Sequence, residues 1–242
     1  MPHRLGRLPH DPAILGKLPR LSSYAPPVAP DVVDWSRDTA SWGMLGNNTL
    51  GNCTAAAALH AQALWGSYRP PFDEPVDADA VALYSATGGY VPGDPATDNG
   101  ARCLDVLNYW RTHGIDCGSA DSRLTAFCTL DPKNIDHLRS ALWCFGAVYV
   151  GLTLHVAQQD ESVWNDTSSP VWGGHCVLIV AADPKTITCV TWGAIQRMTY
   201  PFWIEVVDEA YALLSPSWLA SGRAPQGFPI AALMQDMAAL KV

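Results

Sequence analysis

The sequence changes character near its midpoint, and this change constrains the fold more than any other feature. Segments that favour helices come first: 53–65, which is rich in alanine and free of Gly and Pro, then 77–87, the stretch around 104–110, and 134–143. β-Branched segments bounded by glycine follow: 147–154, 175–182 and 186–190. A last amphipathic segment, 202–214, is predicted to be helical or partly extended. This order predicts an α+β protein with a helical lobe, a β-rich lobe and a cleft between them.

The composition fits one large domain or two small lobes. The chain has 242 residues, of which 48% are hydrophobic and 16% charged, and ten tryptophans indicate a large core. We predict an arm over 1–30 and a domain over 31–242, with the helical lobe at about 31–130 and the β-rich lobe at about 131–242. The net charge of −8 repels phosphate backbones, so nucleic acid is not expected as a partner.

The first 30 residues are basic and rich in proline. They carry four cationic side chains and one acidic side chain, and they end in the segment Tyr24–Pro30, which contains three prolines. Proline disfavours regular structure there, which predicts an extended arm. The arm is interpreted either as a strap over the domain surface or as a segment that covers a groove or binds a partner in an assembly. The sequence leaves these interpretations open.

Several classes of protein and site are disfavoured. The basic start is broken by proline and lacks the apolar run of a signal peptide, so we expect a cytoplasmic or virion-associated protein. The uncharged stretch 140–159 contains glycines and glutamines, and it is interpreted as a helix end followed by a strand, not as a membrane span. Seven cysteines without a CxxC pair offer no zinc knuckle. No cofactor or metal is expected, and the candidate acidic cluster is interpreted as a solvated helix face: Asp183, Glu205, Asp208 and Glu209.

Cys53 and His175 are the residues best placed for chemistry. Cys53 lies in the predicted first turn of a helix, where the backbone N–H groups and the helix dipole favour an anion and would lower the thiol pKa. His175 follows Gly173-Gly174 and begins an apolar strand, so a titratable ring stands in open surroundings. A thiolate nucleophile needs such a base from another part of the chain. Each residue taken alone is more often a packing residue than a catalytic one.

Four segments together resemble the papain-like cysteine proteases. Residues 34–36 (Asp-Trp-Ser) are similar to the start of the mature domain in that family, and 47–55 (NNTLGNCTA) are similar to the segment around its nucleophile. Residues 174–180 (GHCVLIV) resemble its histidine strand, and 191–193 (Thr-Trp-Gly) resemble the end of its Asn-Ser-Trp-Gly motif. The ordered set spans about 33–214 and implies a papain-like two-lobed fold.

The resemblance implies roles for particular residues. Cys53 would be the nucleophile and donate one oxyanion bond through its N–H, and His175 would be the base. Asn47 stands where the family has an oxyanion-stabilising Gln. Thr191, or Val190 with another gap placement, replaces the Asn that orients the histidine. The Thr191 hydroxyl would accept from the ring Nδ1–H, whereas Val190 could not.

The departures from the family pattern leave three functions open. The leading hypothesis is a cysteine peptidase or related thiol-dependent acyl hydrolase acting on a peptide through a Cys-His dyad. Only about 33 residues precede the domain, fewer than the family's propeptide, so activity would be narrow or the arm itself would block the cleft. The alternative is a noncatalytic papain-like protein in an assembly such as a phage or prophage virion. A third is other thiol chemistry, such as transglutamination, deamidation or removal of a ubiquitin-like tag.

Overall fold

The computed structural model describes residues 3–115, 117, 123–224 and 227–240. The first two residues of the predicted arm and the last two of the chain lie outside this range. Within it there are eight α-helices: α1 Pro12–Leu15, α2 Cys53–Ser67, α3 Asp77–Gly88, α4 Cys103–His113, α5 Ile135–Phe145, α6 Tyr200–Val206, α7 Pro216–Ala220 and α8 Ile230–Ala239. It also contains eight strands: β1 Val33–Asp34, β2 Ala126–Thr129, β3 Val148–His155, β4 Val163–Trp164, β5 Val171–Ala182, β6 Thr186–Thr191, β7 Ala194–Thr199 and β8 Val207–Leu214.

The alanine-rich α2 is the central helix of the molecule. Its residues 53–65 are all buried, and the helix packs against α3, α4 and β5. Small alanine side chains let these neighbours approach closely, and a helix that is apolar on all sides is stable only when it is buried on all sides. The Tyr149 hydroxyl donates to the Thr54 carbonyl at 2.9 Å, which ties the first turn of α2 to the sheet.

One sheet of mostly antiparallel strands holds all eight described strands, including β1 and β2 from the range predicted for the helical lobe. Its order is β2-β8-β3-β5-β6-β7-β4, with β1 added to β5, and only the β4–β7 pair is parallel. In the β3–β5 register, Leu152 is opposite His175 and Gly151 is opposite Cys176. Because α2 packs on β5, the start of the helix lies beside the strand that carries His175.

The helices and strands predicted from the sequence are confirmed to within a few residues of each end. The uncharged stretch 140–159 is the end of α5 followed by β3, as predicted. Segment 202–214 divides, since it is helical through Val206 and extended from Val207 onward. None of the helices in the described residues has the length and apolar character needed to cross a membrane.

The arm is not extended throughout. It contains the single turn α1, which begins at Pro12 because proline is compatible with the first turn of a helix, and a 3-10 turn at Leu21–Tyr24. Leu21 and Tyr24 are buried, and the Tyr24 hydroxyl donates to Asp236 at 2.6 Å. The carbonyl of Pro19 accepts from the Thr129 N–H at 2.8 Å. These contacts anchor the second half of the arm on β2 and α8.

Candidate active site

The loop from Leu45 to Asn52 places Cys53 in the first turn of α2. Leu45 has a left-handed backbone with φ of 55°, and its carbonyl accepts from the Asn52 amide at 2.8 Å. The amide of Asn47 donates to the carbonyl of Leu50 at 3.2 Å. Both asparagines are buried. Because the loop's polar groups bond within the loop, its shape and the start of α2 are fixed together.

Residues 3–8, which we term the cleft segment, run through the cleft beside Cys53. The cleft segment makes two backbone hydrogen bonds with Ala101, just before α4, at 2.9 and 3.0 Å. It also donates to the carbonyl of Gly174 in β5 at 3.1 Å. It is therefore bonded to both walls of the cleft, and Cys53 is only 1% exposed.

Gly6 makes the closest approach of the cleft segment to the loop before α2. A Cβ atom on Gly6 would lie 1.9 Å from the carbonyl oxygen of Gly51, and the backbone of Gly6 is outside the left-handed region. Glycine is thus needed here for space and not for its backbone conformation. Because Gly51 lies two residues before Cys53, this contact brings the backbone of Gly6 close to the thiol, and the Gly6 amide favours its ionised form.

Burial controls the ionisation of Cys53. It raises the pKa of the thiol to about 12, with a further increase from Cys176, although hydrogen bonds from the Cys176 and Gly6 amides favour the thiolate. The expectation of a lowered thiol pKa is therefore wrong for this arrangement of the chain. The helix N-terminus is present as predicted, but removal of the sulfur from water has the larger effect.

The imidazole of His175 is held at one nitrogen and unpartnered at the other. Its Nε2 lies 2.7 Å from the Thr191 hydroxyl, and the ring is fully buried. Nδ1 is also buried and has no hydrogen-bond partner among the residues that the structure describes. The prediction that Thr191 would bind Nδ1 is wrong, because Thr191 at the end of β6 reaches the opposite nitrogen.

Trp192 lies between two histidine rings. It stacks on His175 at 4.4 Å between ring centroids and on His3 of the cleft segment at 4.3 Å. Trp192 and Gly193 form the two-residue turn between β6 and β7, with φ of 48° and 71°. Such a turn requires left-handed backbone at both positions, which is rare for a tryptophan. The turn holds the indole over the His175 ring.

Comparisons with known proteins identify the fold. No protein-family model matches the sequence, and no curated protein matches it either. Xylellain, a cysteine protease from Xylella fastidiosa, has a similar structure, with a TM-score of 0.68 and 16% identity over 88% of this chain and 96% of that chain. Procathepsin B S9 from Trypanosoma congolense has a TM-score of 0.64 and 11% identity over 88% and 86% of the two chains. The chain has a papain-like fold.

A third solved structure with this papain-like fold holds an inhibitor. It is the bromelain protease from Ananas comosus in complex with E64, with a TM-score of 0.55 and 11% identity over 76% of this chain and 99% of that chain. Identities this low establish the fold and leave the activity to be argued from the site.

Three of the four predicted site residues border the cleft of the papain-like fold: Cys53, His175 and Thr191. Cys53 begins α2, which packs on β5, and the thiol pKa is influenced by Cys176, the residue that follows His175. Thr191 and Val190 were the two candidates for the residue that orients the His175 ring, and it is Thr191 that contacts the ring. Asn47 lies in the loop before α2, where its amide is engaged by a carbonyl of the same loop.

Asp98 supports the cleft, although it was not predicted from the sequence. One carboxylate oxygen accepts from the Gly51 N–H at 2.9 Å and from the Tyr84 hydroxyl at 2.8 Å. The other accepts from Arg4 of the cleft segment at 2.6 Å. Asp98 therefore joins the loop before α2, helix α3 and the arm. It lies in a Gly- and Pro-rich loop with no local motif, so no sequence signal pointed to it.

The interpretation of the acidic cluster as a solvated helix face is wrong for Glu209. Residues from Val207 onward form β8, and the Glu209 side chain is fully buried and paired with Arg7 of the cleft segment. Asp208 pairs with the same guanidinium. His10, Asp208 and Glu209 could offer metal ligands within 4.8 Å of one another, but Arg7 already neutralises both carboxylates. That no metal is needed stays a prediction.

Lowering the pH from 7 to 5 is expected to destabilise the protein. Burial, helped by His3 and Arg7, lowers the pKa of His175 to about 3, and burial lowers that of His60 to about 4. Below about pH 6.5 the unfolded chain binds protons that the folded chain excludes, so stability is full above that pH and falls below it. Each histidine then costs about 2 kcal/mol at pH 5.

Urea unfolding at the two pH values measures this loss. The His60→Asn variant should lose about 2 kcal/mol less between pH 7 and 5 than the unaltered chain. The matched control is His113→Asn, at an exposed position at the end of α4. An unchanged loss in the His60 variant would contradict the assignment of a buried neutral imidazole.

Proposed function

We propose that this chain is a cysteine peptidase or related thiol-dependent acyl hydrolase that uses Cys53 and His175 on a peptide or amide bond. The observation that carries the proposal is the His175 ring, because Thr191 holds Nε2 while the buried Nδ1 has no partner in the described part of the chain. His60 also has one bonded and one unpartnered buried nitrogen, so what distinguishes His175 is its place beside the cleft segment, whose His3 stacks on the same Trp192 and whose Arg7 bonds Gly174.

The proposed reaction begins with proton transfer from the Cys53 thiol to His175. In the tautomer with its proton on Nε2, that N–H donates to Thr191 and leaves the Nδ1 lone pair free to accept the thiol proton. The thiolate attacks the carbonyl carbon of the substrate and forms a C–S bond. The C–N bond then breaks, and the leaving amine takes the proton from Nδ1. Water, deprotonated by the same nitrogen, cleaves the thioester and returns the thiol.

The oxyanion formed in this reaction needs donors near Cys53. The backbone N–H of Cys53 lies in the first turn of α2, where N–H groups have no partner within the helix. The Asn47 amide gives one hydrogen to the Leu50 carbonyl and has a second one to donate. These two groups are the proposed oxyanion donors.

The cleft segment keeps this site inactive in the proposed account. It covers Cys53, its Gly6 lies against the backbone of Gly51, and its His3 stacks on Trp192. Activity requires the segment to leave while the rest of the arm stays anchored through Leu21 and Tyr24. This gives the arm both of the roles considered for it, as a strap and as a cover for the cleft.

Peptide cleavage by an arm-released chain tests the function. The full-length Gly6→Val variant is incubated with a mixture of synthetic peptides, and the products are identified by mass spectrometry. We expect new termini at defined bonds, absent when Cys53→Ala is added. Without cleavage, an amine joined to a glutamine side chain with loss of ammonia would indicate transglutamination, and an amide converted to a carboxylate with loss of ammonia would indicate deamidation.

Thr191 is proposed as a positioning residue for His175. In the Gly6→Val background, Thr191→Val should lower kcat about 10- to 100-fold with little change in KM, because the ring loses its partner at Nε2. Thr191→Ser keeps the hydroxyl and should restore most of the rate. A structural role alone would not shift the acid limb of the pH–rate profile, whereas loss of this bond to the imidazole should. Equal rates for the Val and Ser variants would contradict the role.

The noncatalytic alternative has one observation in its favour. With the cleft filled, the Cys53 thiol is buried and un-ionised, as it would be in a protein that uses this fold only for binding. The same experiment decides between the two. Cleavage by the Gly6→Val variant supports the hydrolase. An exposed but unreactive Cys53 would favour an assembly role, with the remainder of residues 1–30 as the surface for a partner.

A further inference from the structure

The side chain of Arg7 occupies a pocket in the wall of the cleft. Its Nη1 donates to Glu209 Oε1 at 2.8 Å and to Asp208 Oδ1 at 2.9 Å, and its Nη2 donates to Asp208 Oδ2 at 2.7 Å. Burial opposes the charge, but Asp208 and Glu209 outweigh it and hold the pKa of the guanidinium above its usual value. The Arg7 side chain is only 3% exposed, so it is inserted in the sheet lobe and does not lie along its surface.

The pocket is built for a cation. The Glu209 side chain is fully buried, and its second oxygen accepts from the Tyr211 hydroxyl at 2.6 Å. A Cβ atom on Gly151 would lie 2.6 Å from Glu209 Cγ and 2.8 Å from Arg7 Cδ, although the backbone there is outside the left-handed region. Glycine at this position thus makes room for a long side chain. Without a cation, Glu209 would be a buried unpaired carboxylate, which is costly.

The pocket opens directly beside the proposed catalytic residues. The Arg7 N–H donates to the carbonyl of Gly174, which precedes His175, and the neighbouring Gly6 lies against the backbone of Gly51, two residues before Cys53. Consider a peptide that follows the path of the cleft segment. The residue that takes the place of Arg7 puts its side chain in this pocket, and it is the neighbour of the residue that lies beside the thiol.

We propose that this pocket binds a guanidinium side chain of the substrate, with Glu209 and Asp208 as the residues that determine specificity. The inference rests on the proposed function, and it names the substrate class: peptides with arginine beside the scissile bond. Arg7 occupies the pocket until the cleft segment leaves. Asp208 takes one hydrogen bond from each of two nitrogens, a fork that arginine matches and lysine does not.

Matched substrates test the specificity. The full-length Gly6→Val variant is assayed with two peptides that differ only in arginine or citrulline, its neutral analogue of the same shape. We expect kcat/KM for the arginine peptide to be about 100-fold higher, and Glu209→Gln to reduce this ratio below about 5-fold. The exposed Glu205→Gln is the control and should leave the ratio unchanged. Equal rates for the two peptides would overturn the inference.

Binding separates this inference from the proposed function. A synthetic peptide of residues 1–12 is titrated into Gly6→Val/Cys53→Ala. Replacing its Arg7 by citrulline should weaken binding at least about 10-fold, whereas replacing its half-exposed Arg4 should have a smaller effect. If the citrulline peptide binds more weakly as expected and no peptide is cleaved, the proposal of a guanidinium pocket is supported and the hydrolase proposal fails. If both peptides bind alike, the pocket proposal fails whatever the activity.

A rescue experiment covers the case in which the Gly6 variant does not fold. In the full-length Arg7→Ala chain, ethylguanidine should raise the midpoint temperature of unfolding. Its effect should be much smaller on Arg7→Ala/Glu209→Gln, where the pocket has lost its buried carboxylate and keeps only the part-exposed Asp208, and absent on the unaltered chain, where the pocket is already filled. No rise in the single variant, or an equal rise in all three, would overturn the proposal.

Discussion

Replacing Gly6 by valine is expected to increase the rate of Cys53 alkylation by iodoacetamide at pH 7.5 by at least about 100-fold. A side chain at this position would lie against the Gly51 carbonyl, so the cleft segment must leave the cleft. Water then reaches the sulfur, and the burial that raises the pKa of Cys53 to about 12 is relieved. The thiolate fraction alone rises by more than this factor if the pKa returns to about 8.5.

Two controls separate opening of the cleft from loss of structure. Gly16→Ala alters a glycine of the arm in an ordinary helical conformation outside the cleft, and it should leave Cys53 slow to react. Cys128 and Cys189, both fully buried in the sheet, should stay slow in every variant. An equal increase in the alkylation rate of all three cysteines would mean that the variant has unfolded. An unchanged alkylation rate of Cys53 would mean that the cleft segment does not shield it.

In the Gly6→Val background, His175→Ala is expected to lower kcat for peptide cleavage by at least about 1000-fold. The variant removes the group that accepts the thiol proton and returns it to the leaving amine, so two steps lose their catalyst. KM should change far less, because the imidazole lies against Trp192 and Thr191 and not in the guanidinium pocket. Steady-state kinetics with the arginine peptide measures both constants.

The control for this variant is another histidine. His113 lies at the exposed end of α4, and His113→Ala should leave kcat unchanged. Far-UV circular dichroism of the His175 variant checks that the sheet is intact. Activity within about 10-fold of the parent in a folded His175→Ala chain would contradict its role as the base, since a missing general base costs more than that.

The helices and strands could be predicted from the sequence because their signals are local. Alanine without Gly or Pro marks α2, and β-branched runs bounded by glycine mark β3, β5 and β6. The papain-like fold followed from the order of four short segments, and the structural neighbours confirm it. The division of 202–214 into a helix and a strand was left open, because an amphipathic segment of that length suits either, and several short elements were not predicted: β1, β2, β4, β7, α7 and α8.

The contents of the cleft could not be predicted, because they depend on contacts between distant parts of the chain. Arg7 and Glu209 are about 200 residues apart in sequence and form a buried ion pair. The sequence showed only a basic arm and a group of acids near the C-terminal end. In the same way, the helix N-terminus predicted a lowered thiol pKa at Cys53, and the segment that buries the thiol reverses it.

The orientation of the His175 ring was also beyond the sequence. Spacing placed Thr191 near the ring, but which nitrogen it meets depends on the pairing of β5 with β6 and on the turn at Trp192 and Gly193. A tryptophan with left-handed backbone is too rare to predict from one sequence. In this conformation Trp192 stacks on His175 and His3.

The pH dependence of Cys53 labelling in Gly6→Val, with and without His175→Ala, tests the central claim most directly. Site-resolved mass spectrometry follows each cysteine after a short pulse of iodoacetamide. If Cys53 and His175 form a thiolate–imidazolium pair once the cleft is open, labelling stays fast well below pH 8.5 and becomes slow there when the histidine is removed. Labelling that rises only near pH 8.5, and identically in both variants, would contradict the account.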